Sequence, residues 1–166
     1  MSASVKLNDV IEALESAGDE HAHYFDKRTG EIVLVTDEDM QAAEEDDLIS
    51  EYPDWQRDSI LKAREVLRDS EQFIPLPDQF EIHEYKIMED FCRDFEDQQV
   101  GKELLRLIKG SGAFKRFKKA INEMGVDKTW YAFKQRELEK IAIEWLEENK
   151  IPYTREDAVD VSDASM

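Results

Sequence analysis

The sequence predicts an α+β domain: a small antiparallel sheet built on a hairpin near residues 23–35, packed with helices, and a mainly helical C-terminal half. Three observations predict it. The run Ile32-Val-Leu-Val-Thr36 is rich in β-branched residues and follows a Gly-ended turn, Lys27-Arg-Thr-Gly30, which marks a hairpin. From Pro77 to Lys150 apolar residues return every three or four positions, the helical period. A 41% hydrophobic share of 166 residues fills one core, while 37% charged residues call for heavily solvated outer faces.

The elements follow in order. Val5 to Ala17 reads as a helix, with Leu7, Val10, Ile11 and Leu14 at helical spacing and Gly18 as its stop. His21 to Asp37 is the hairpin, with Ile32 and Leu34 on one face and Val33 and Val35 on the other. An isolated hairpin is marginal, so a third strand is expected. Phe73-Ile-Pro-Leu-Pro77 is the candidate, because its prolines forbid a helix and make it extended, as an edge strand or a polyproline-like strap. Between them, Thr36-Asp-Glu-Asp39 caps a short acidic helix reaching about Asp47, whose Glu44-Glu-Asp-Asp47 end is either a solvated helix end or a site for a cation or basic partner. Pro53 to Asp69 forms a second helix, burying Ile60, Ala63, Val66 and Leu67, with Trp55 near its start.

Pro77 to Asp97 reads as one long helix carrying Phe80, Tyr85, Met88, Phe91, Cys92 and Phe95, and Gln98 to Lys109 as another. Gly110-Ser-Gly112 breaks the chain. A short helix then lines Phe114, Phe117, Ile121 and Met124 on one face and Lys115, Arg116, Lys118 and Lys119 on the other. After Gly125, Asp127 caps a final helix with Trp130, Phe133, Leu138, Ile141, Trp145 and Leu146 as its stripe and Tyr131 pointing outward. Residues 1–153 are expected to form one domain, with 154–166 as a flexible acidic tail.

Composition narrows the class. No apolar stretch approaches the roughly 20 residues of a membrane span, and the N-terminus lacks a signal-peptide pattern. The lone cysteine, Cys92, excludes an internal disulfide and falls on an apolar stripe as a core thiol. The expectation is a cytoplasmic protein without cofactor. The net charge of −18 is uneven: residues 1–101 hold 9 Lys and Arg against 28 Asp and Glu, residues 102–150 hold 12 against 8. This fits a plain acidic protein, an acidic surface for a basic partner or for imitating nucleic acid, or a basic half that binds phosphate.

The candidate anion site is Lys109, Gly110, Ser111, Gly112, Lys115, Arg116, Lys118 and Lys119. Glycines let backbone N–H groups converge, the next helix adds its positive dipole end, and the cations add charge. It is not a P-loop, since no Gly-Lys-Ser/Thr closes it. The alternative is an inter-helix turn in which Gly110 and Ser111 are helix caps, beside a solvated or acid-paired basic face. His21 and His23, two apart on a strand, form a His-X-His pair that would bind metal if Asp26, His83 or others converged; otherwise they are a hairpin rim.

The residues Tyr24-Phe25-Asp26 with Glu31-Ile32, Phe73 to Pro77, Gly112-Ala-Phe114 with Phe117-Lys118, and Trp130-Tyr131 with Phe133, Trp145 and Leu146 together resemble an uncharacterised bacterial protein family, the one numbered 0158. The resemblance covers about Val5 to Tyr153 and implies an intracellular bacterial protein, with no catalytic or binding residues to carry over. The residues themselves favour a non-enzymatic interaction or regulatory module that engages a protein partner through charge, with nucleic acid a possible partner. The alternatives are an enzyme acting on a phosphate-bearing or nucleic-acid substrate, and a DNA-imitating inhibitor.

Overall fold

A computed structural model describes residues 4–45 and 47–155. In chain order the elements are β1 (Val5–Lys6), α1 (Leu7–Glu15), β2 (His21–Asp26), β3 (Ile32–Thr36), α2 (Asp37–Glu45), α3 (Asp54–Arg68) and β4 (Phe73–Pro75). A single turn, α4 (Gln79–Ile82), leads to α5 (Glu84–Asp94), α6 (Gln98–Leu107), α7 (Ala113–Met124), α8 (Asp127–Glu148) and β5 (Tyr153–Thr154). The fold is α+β, as the sequence predicts. The chain divides into two compact units, one reaching to Glu81 and resuming at Ala142, the other Ile82–Ile141.

The first unit holds the sheet, in order β3-β2-β4. The hairpin pairs Ala22 with Val35 and Tyr24 with Val33, and β4 adds the third strand antiparallel to β2, with Phe25 opposite Ile74 and Asp26 opposite Phe73. Because strand side chains alternate, Val35 and Phe73 share one face and pack with Ala43 of α2 and Ala63 and Val66 of α3. Phe25 points to the other face, where it meets Trp145 edge-on at 6.5 Å, and the Trp145 indole N–H donates to the Pro75 carbonyl at 3.0 Å. Pro75 has no N–H to give, but its carbonyl is used, which is how an edge strand tolerates proline.

Asp26 closes the hairpin turn. Its carboxylate accepts from the Arg28 backbone N–H at 2.9 Å and from Arg28 Nε at 3.1 Å, while its own carbonyl accepts from Gly30 N–H, with Gly30 at φ 78°. Thr36 Oγ1 accepts from the Asp39 N–H at 3.1 Å, the capping expected for α2. Asp39 is buried and takes a hydrogen bond from buried Gln56 of α3 at 3.2 Å.

The second unit is helical around an aromatic centre. Phe91 lies 5.3 Å from Phe95, 6.0 Å from Phe117, 5.3 Å from Trp130 and 5.5 Å from Phe133. Gly101 lets α6 approach α5: a Cβ there would sit 2.4 Å from the Cys92 carbonyl oxygen. The Asp97 side chain caps α6 by accepting from the N–H groups of Gln99 and Val100. α7 ends at Gly125, φ 71°, where the Val126 N–H reaches back to the Ile121 carbonyl, a Schellman closure.

Several expectations need correction. Val5 and Lys6 are not helical: they pair in parallel with Tyr153 and Thr154 near the other end of the chain. The predicted helix Pro77–Asp97 is two pieces. Asp78 and Glu81 cap the single turn reciprocally, then His83 turns left-handed at φ 54°, which ends the turn and leaves Phe80 73% exposed. Leu67, Phe114 and Met124 were expected inside and are more than a third exposed; Ala113, Phe117, Ala120 and Ile121 make the buried face of α7. The acidic tail predicted from residue 154 lies, beyond Arg155, outside the described residues.

Candidate functional site

The segment Lys109 to Lys119 is brought together on the second unit, and all eight sequence-predicted residues of it are exposed. Gly110 and Gly112 both take left-handed backbone, φ 83° and 79°, which is why the α6–α7 turn carries glycine at both places. Ser111, expected as a possible helix cap, does not cap α7; the N-cap residue is Gly112, and α7 begins without a side-chain cap.

Arg116 does something the sequence does not announce. Its guanidinium donates from Nε to the Leu107 carbonyl, from Nη1 to Ser111 and from Nη2 to Lys109, each at 2.7 Å. Helix C-termini leave carbonyls without intrahelical partners, and here one planar fork satisfies the last turn of α6 together with the turn that follows. Its donors face backbone oxygen, so the cations left for an external anion are Lys109, Lys115, Lys118 and Lys119. Beside them the Phe114 and Tyr85 rings meet edge-on at 6.5 Å, each about 40% exposed, and the Tyr85 hydroxyl donates to the Ile108 carbonyl at 2.8 Å.

His21 and His23 lie side by side, ring centroids 5.3 Å apart. The Ser16 carbonyl accepts from His21 Nε2 at 2.5 Å, which occupies the lone-pair position a metal would need on that nitrogen. His23 Nε2 is 3.4 Å from Ser16 Oγ, and burial, then the neighbouring His21, push its pKa below the ordinary value. Asp26 is held by Arg28 instead of joining them. Among the described residues no group of three or more His, Cys, Asp or Glu side chains is placed to hold a metal.

Asp26 anchors a charged network that sequence spacing does not reveal. Arg28 also reaches Glu65 at 3.0 Å and Asp69 at 3.6 Å, Lys62 pairs with Glu65 at 2.8 Å, and the Arg28 guanidinium lies 5.3 Å over the Phe73 ring. Burial pushes the Asp26 carboxyl up, but the hydrogen bonds and charge of Arg28 outweigh it and hold its pKa below the usual value. Cys92 is buried, and desolvation, then Glu89, push its thiol up to about 11, the opposite of an activated nucleophile.

Two surfaces were missed. On the first unit, Trp55 is 77% exposed and Leu48 71% exposed, near Asp47, Glu51, Asp54 and Asp58 in the chain. On the second unit, Phe91, Phe95 and Phe133 floor a cleft of about 640 Å³ whose rim carries Asp94, Glu96, Asp97 and Arg136. The only sequence signal for the cleft is the run Asp94-Phe-Glu-Asp97, placed between two helices.

These features define a small α+β protein. The chain belongs to UPF0158, described as an uncharacterised protein family, whose model matches residues 3–166. It is similar to a Pseudomonas aeruginosa protein named for the same family, 23% identical over 149 residues that cover 89% of this chain and 84% of the relative. No solved structure matches the chain. Among the described residues no helix is long and apolar enough to cross a membrane.

Proposed function

We propose that the protein is a non-enzymatic interaction module that engages a basic polypeptide through the acidic side of its first unit. The observation that carries this reading is Trp55, 77% exposed at the start of α3. An exposed tryptophan adds little to folding, yet tryptophan is enriched among the residues that dominate binding energy at interfaces. Its chain neighbours choose the partner's charge: Asp47, Glu51, Asp54 and Asp58 surround it in sequence, and Arg57 is spent on Asp54 at 2.6 Å and on the Tyr52 carbonyl at 2.8 Å. The segment that presents Leu48 and Trp55 is pinned from α3, since Arg64 donates to the Asp47 carbonyl and Arg57 Nη2 to that of Ser50 at 3.2 Å. The setting we propose is cytoplasmic, in keeping with a single cysteine that makes no internal disulfide.

The test is biolayer interferometry of the full chain against a set of lysine-rich, arginine-free dodecapeptides and their Ala-substituted counterparts. The reading expects the charged peptides alone to bind and Trp55→Ala to weaken them about 30-fold, as for an interface anchor of ~2 kcal/mol. Trp55→Ala binding as tightly as the natural protein would sink it.

A second reading has its own support. Phe114 and Tyr85 are partly exposed, and Lys115 and Lys118 follow Phe114 on α7, so the segment combines aromatic faces with cations, the pairing that single-stranded nucleic acids use. The variant for that reading is Lys115→Glu, Lys118→Glu and Lys119→Glu with Arg116 retained, because Arg116 holds the turn together.

A further inference from the structure

We infer that the cleft on the second unit is a binding site for an arginine-bearing peptide segment, with Phe133 as the surface against which the guanidinium lies. The inference concerns a different unit from Trp55 and stands without that reading.

Three observations converge. The floor is aromatic: Phe91 is buried, and Phe95 and Phe133 are half-buried, 5.3 and 5.5 Å from it, so their outer surfaces border the cleft. The rim is acidic: Asp94, Glu96 and Asp97 face a single cation, Arg136. Asp97 accepts backbone N–H groups through Oδ1 as the cap of α6, while Asp94 and Glu96 are exposed at the rim. Finally, the protein itself shows what the floor accepts, since the Arg136 guanidinium lies 6.0 Å from the centre of the Phe133 ring.

A ring face attracts a cation through its quadrupole, and a delocalised guanidinium is easier to desolvate than an ammonium. Three carboxylates against one arginine repel anionic ligands and attract cations. A cleft of about 640 Å³ is larger than one side chain, so there is room for an arginine with its apolar neighbours. Arg136 then competes for the place the incoming guanidinium takes.

The experiment is a 1H–15N NMR titration of the full chain with Ac-Leu-Arg-Leu-NH2 and with the same peptide carrying citrulline, a neutral group of nearly the same shape. The inference expects shifts centred on the amides of Phe95, Glu96 and Thr129, with the arginine peptide binding about fivefold tighter than the citrulline one. Asp94→Asn with Glu96→Gln, both exposed, should reduce that preference, the ring face and Asp97 being retained. Arg136→Gln should tighten binding about threefold by removing the competitor, while Lys128→Gln, an equal charge change on the same helix, should not. Trp55→Ala should leave all of this unchanged. Equal affinity for the citrulline peptide, shifts centred elsewhere, or weaker binding by Arg136→Gln would each overturn the inference. So would concentration-dependent shifts of the same amides without peptide, which would make a second copy of the chain the occupant.

Discussion

Replacing Arg116 with alanine separates the structural from the electrostatic role of the basic segment. The side chain makes three hydrogen bonds at 2.7 Å to carbonyls of Leu107, Lys109 and Ser111, all from one charged group. A net bond to a charged donor is worth ~1.5–3 kcal/mol when shielded. Arg116 is exposed, and water reaches the carbonyls it would abandon, so about 0.5 kcal/mol per bond is the appropriate scale, or ~1–2 kcal/mol in all. For a chain of this length that lowers the melting temperature by roughly 3–6 °C. Urea denaturation followed by circular dichroism reads the change, with Lys115→Ala, Lys118→Ala and Lys119→Ala as exposed comparisons expected within about 0.5 kcal/mol of the natural protein. Arg116→Lys keeps the charge but replaces the three-pronged fork with a point donor, so most of the loss should persist. An alanine variant within about 0.3 kcal/mol of the natural protein, or a fully stable lysine variant, would refute the clamp.

Other perturbations follow from the same geometry. Asp26→Asn keeps an acceptor for the Arg28 N–H but removes the charge, and should cost ~1–2 kcal/mol at pH 7, less than for a fully buried pair because Arg28 keeps Glu65 and Asp69. Since the folded pKa of Asp26 lies below its ordinary 3.8, its contribution is complete above 3.8 and is lost as pH falls toward the folded value, so the gap between variant and natural protein in denaturation should close on acidification below 3.8. Cys92, with its thiol raised to about 11, should resist a thiol-reactive dye at pH 8 in the folded protein and react once urea unfolds it; rapid native labelling would contradict its burial.

What the sequence made legible was local. The β-branched run with Gly30 announced the hairpin, Thr36 announced the start of α2, and Pro75 and Pro77 marked β4 as an edge strand because proline cannot donate to a ladder. What it hid was tertiary. β1 is two residues long and forms only because Tyr153 and Thr154 arrive beside it, so no local pattern exposes it. The break at His83 carries neither glycine nor proline; the reciprocal cap of Asp78 and Glu81 shortens α4, and Phe80 keeps helical spacing while sitting in solvent. Arg116 looked like one of four surface cations, and only the fold of the α6–α7 turn puts three carbonyls within its reach. The cleft was invisible because its floor joins Phe91 and Phe95 to Phe133, almost forty residues on, while each ring alone reads as core.

The charge asymmetry between the two halves makes one comparison decisive. A fluorescent lysine-rich, arginine-free dodecapeptide and a fluorescent dodecanucleotide would each be titrated with the full chain at ~50 and ~200 mM salt, reading anisotropy, with the natural protein beside Trp55→Ala. The account predicts that the peptide binds at both salts, more weakly at the higher one, that Trp55→Ala abolishes most of it, and that the oligonucleotide binds more weakly than the peptide. Tighter binding of the oligonucleotide, unaffected by Trp55→Ala and lost on replacing Lys115, Lys118 and Lys119 with glutamate, would contradict it and move the working surface to the basic face of α7.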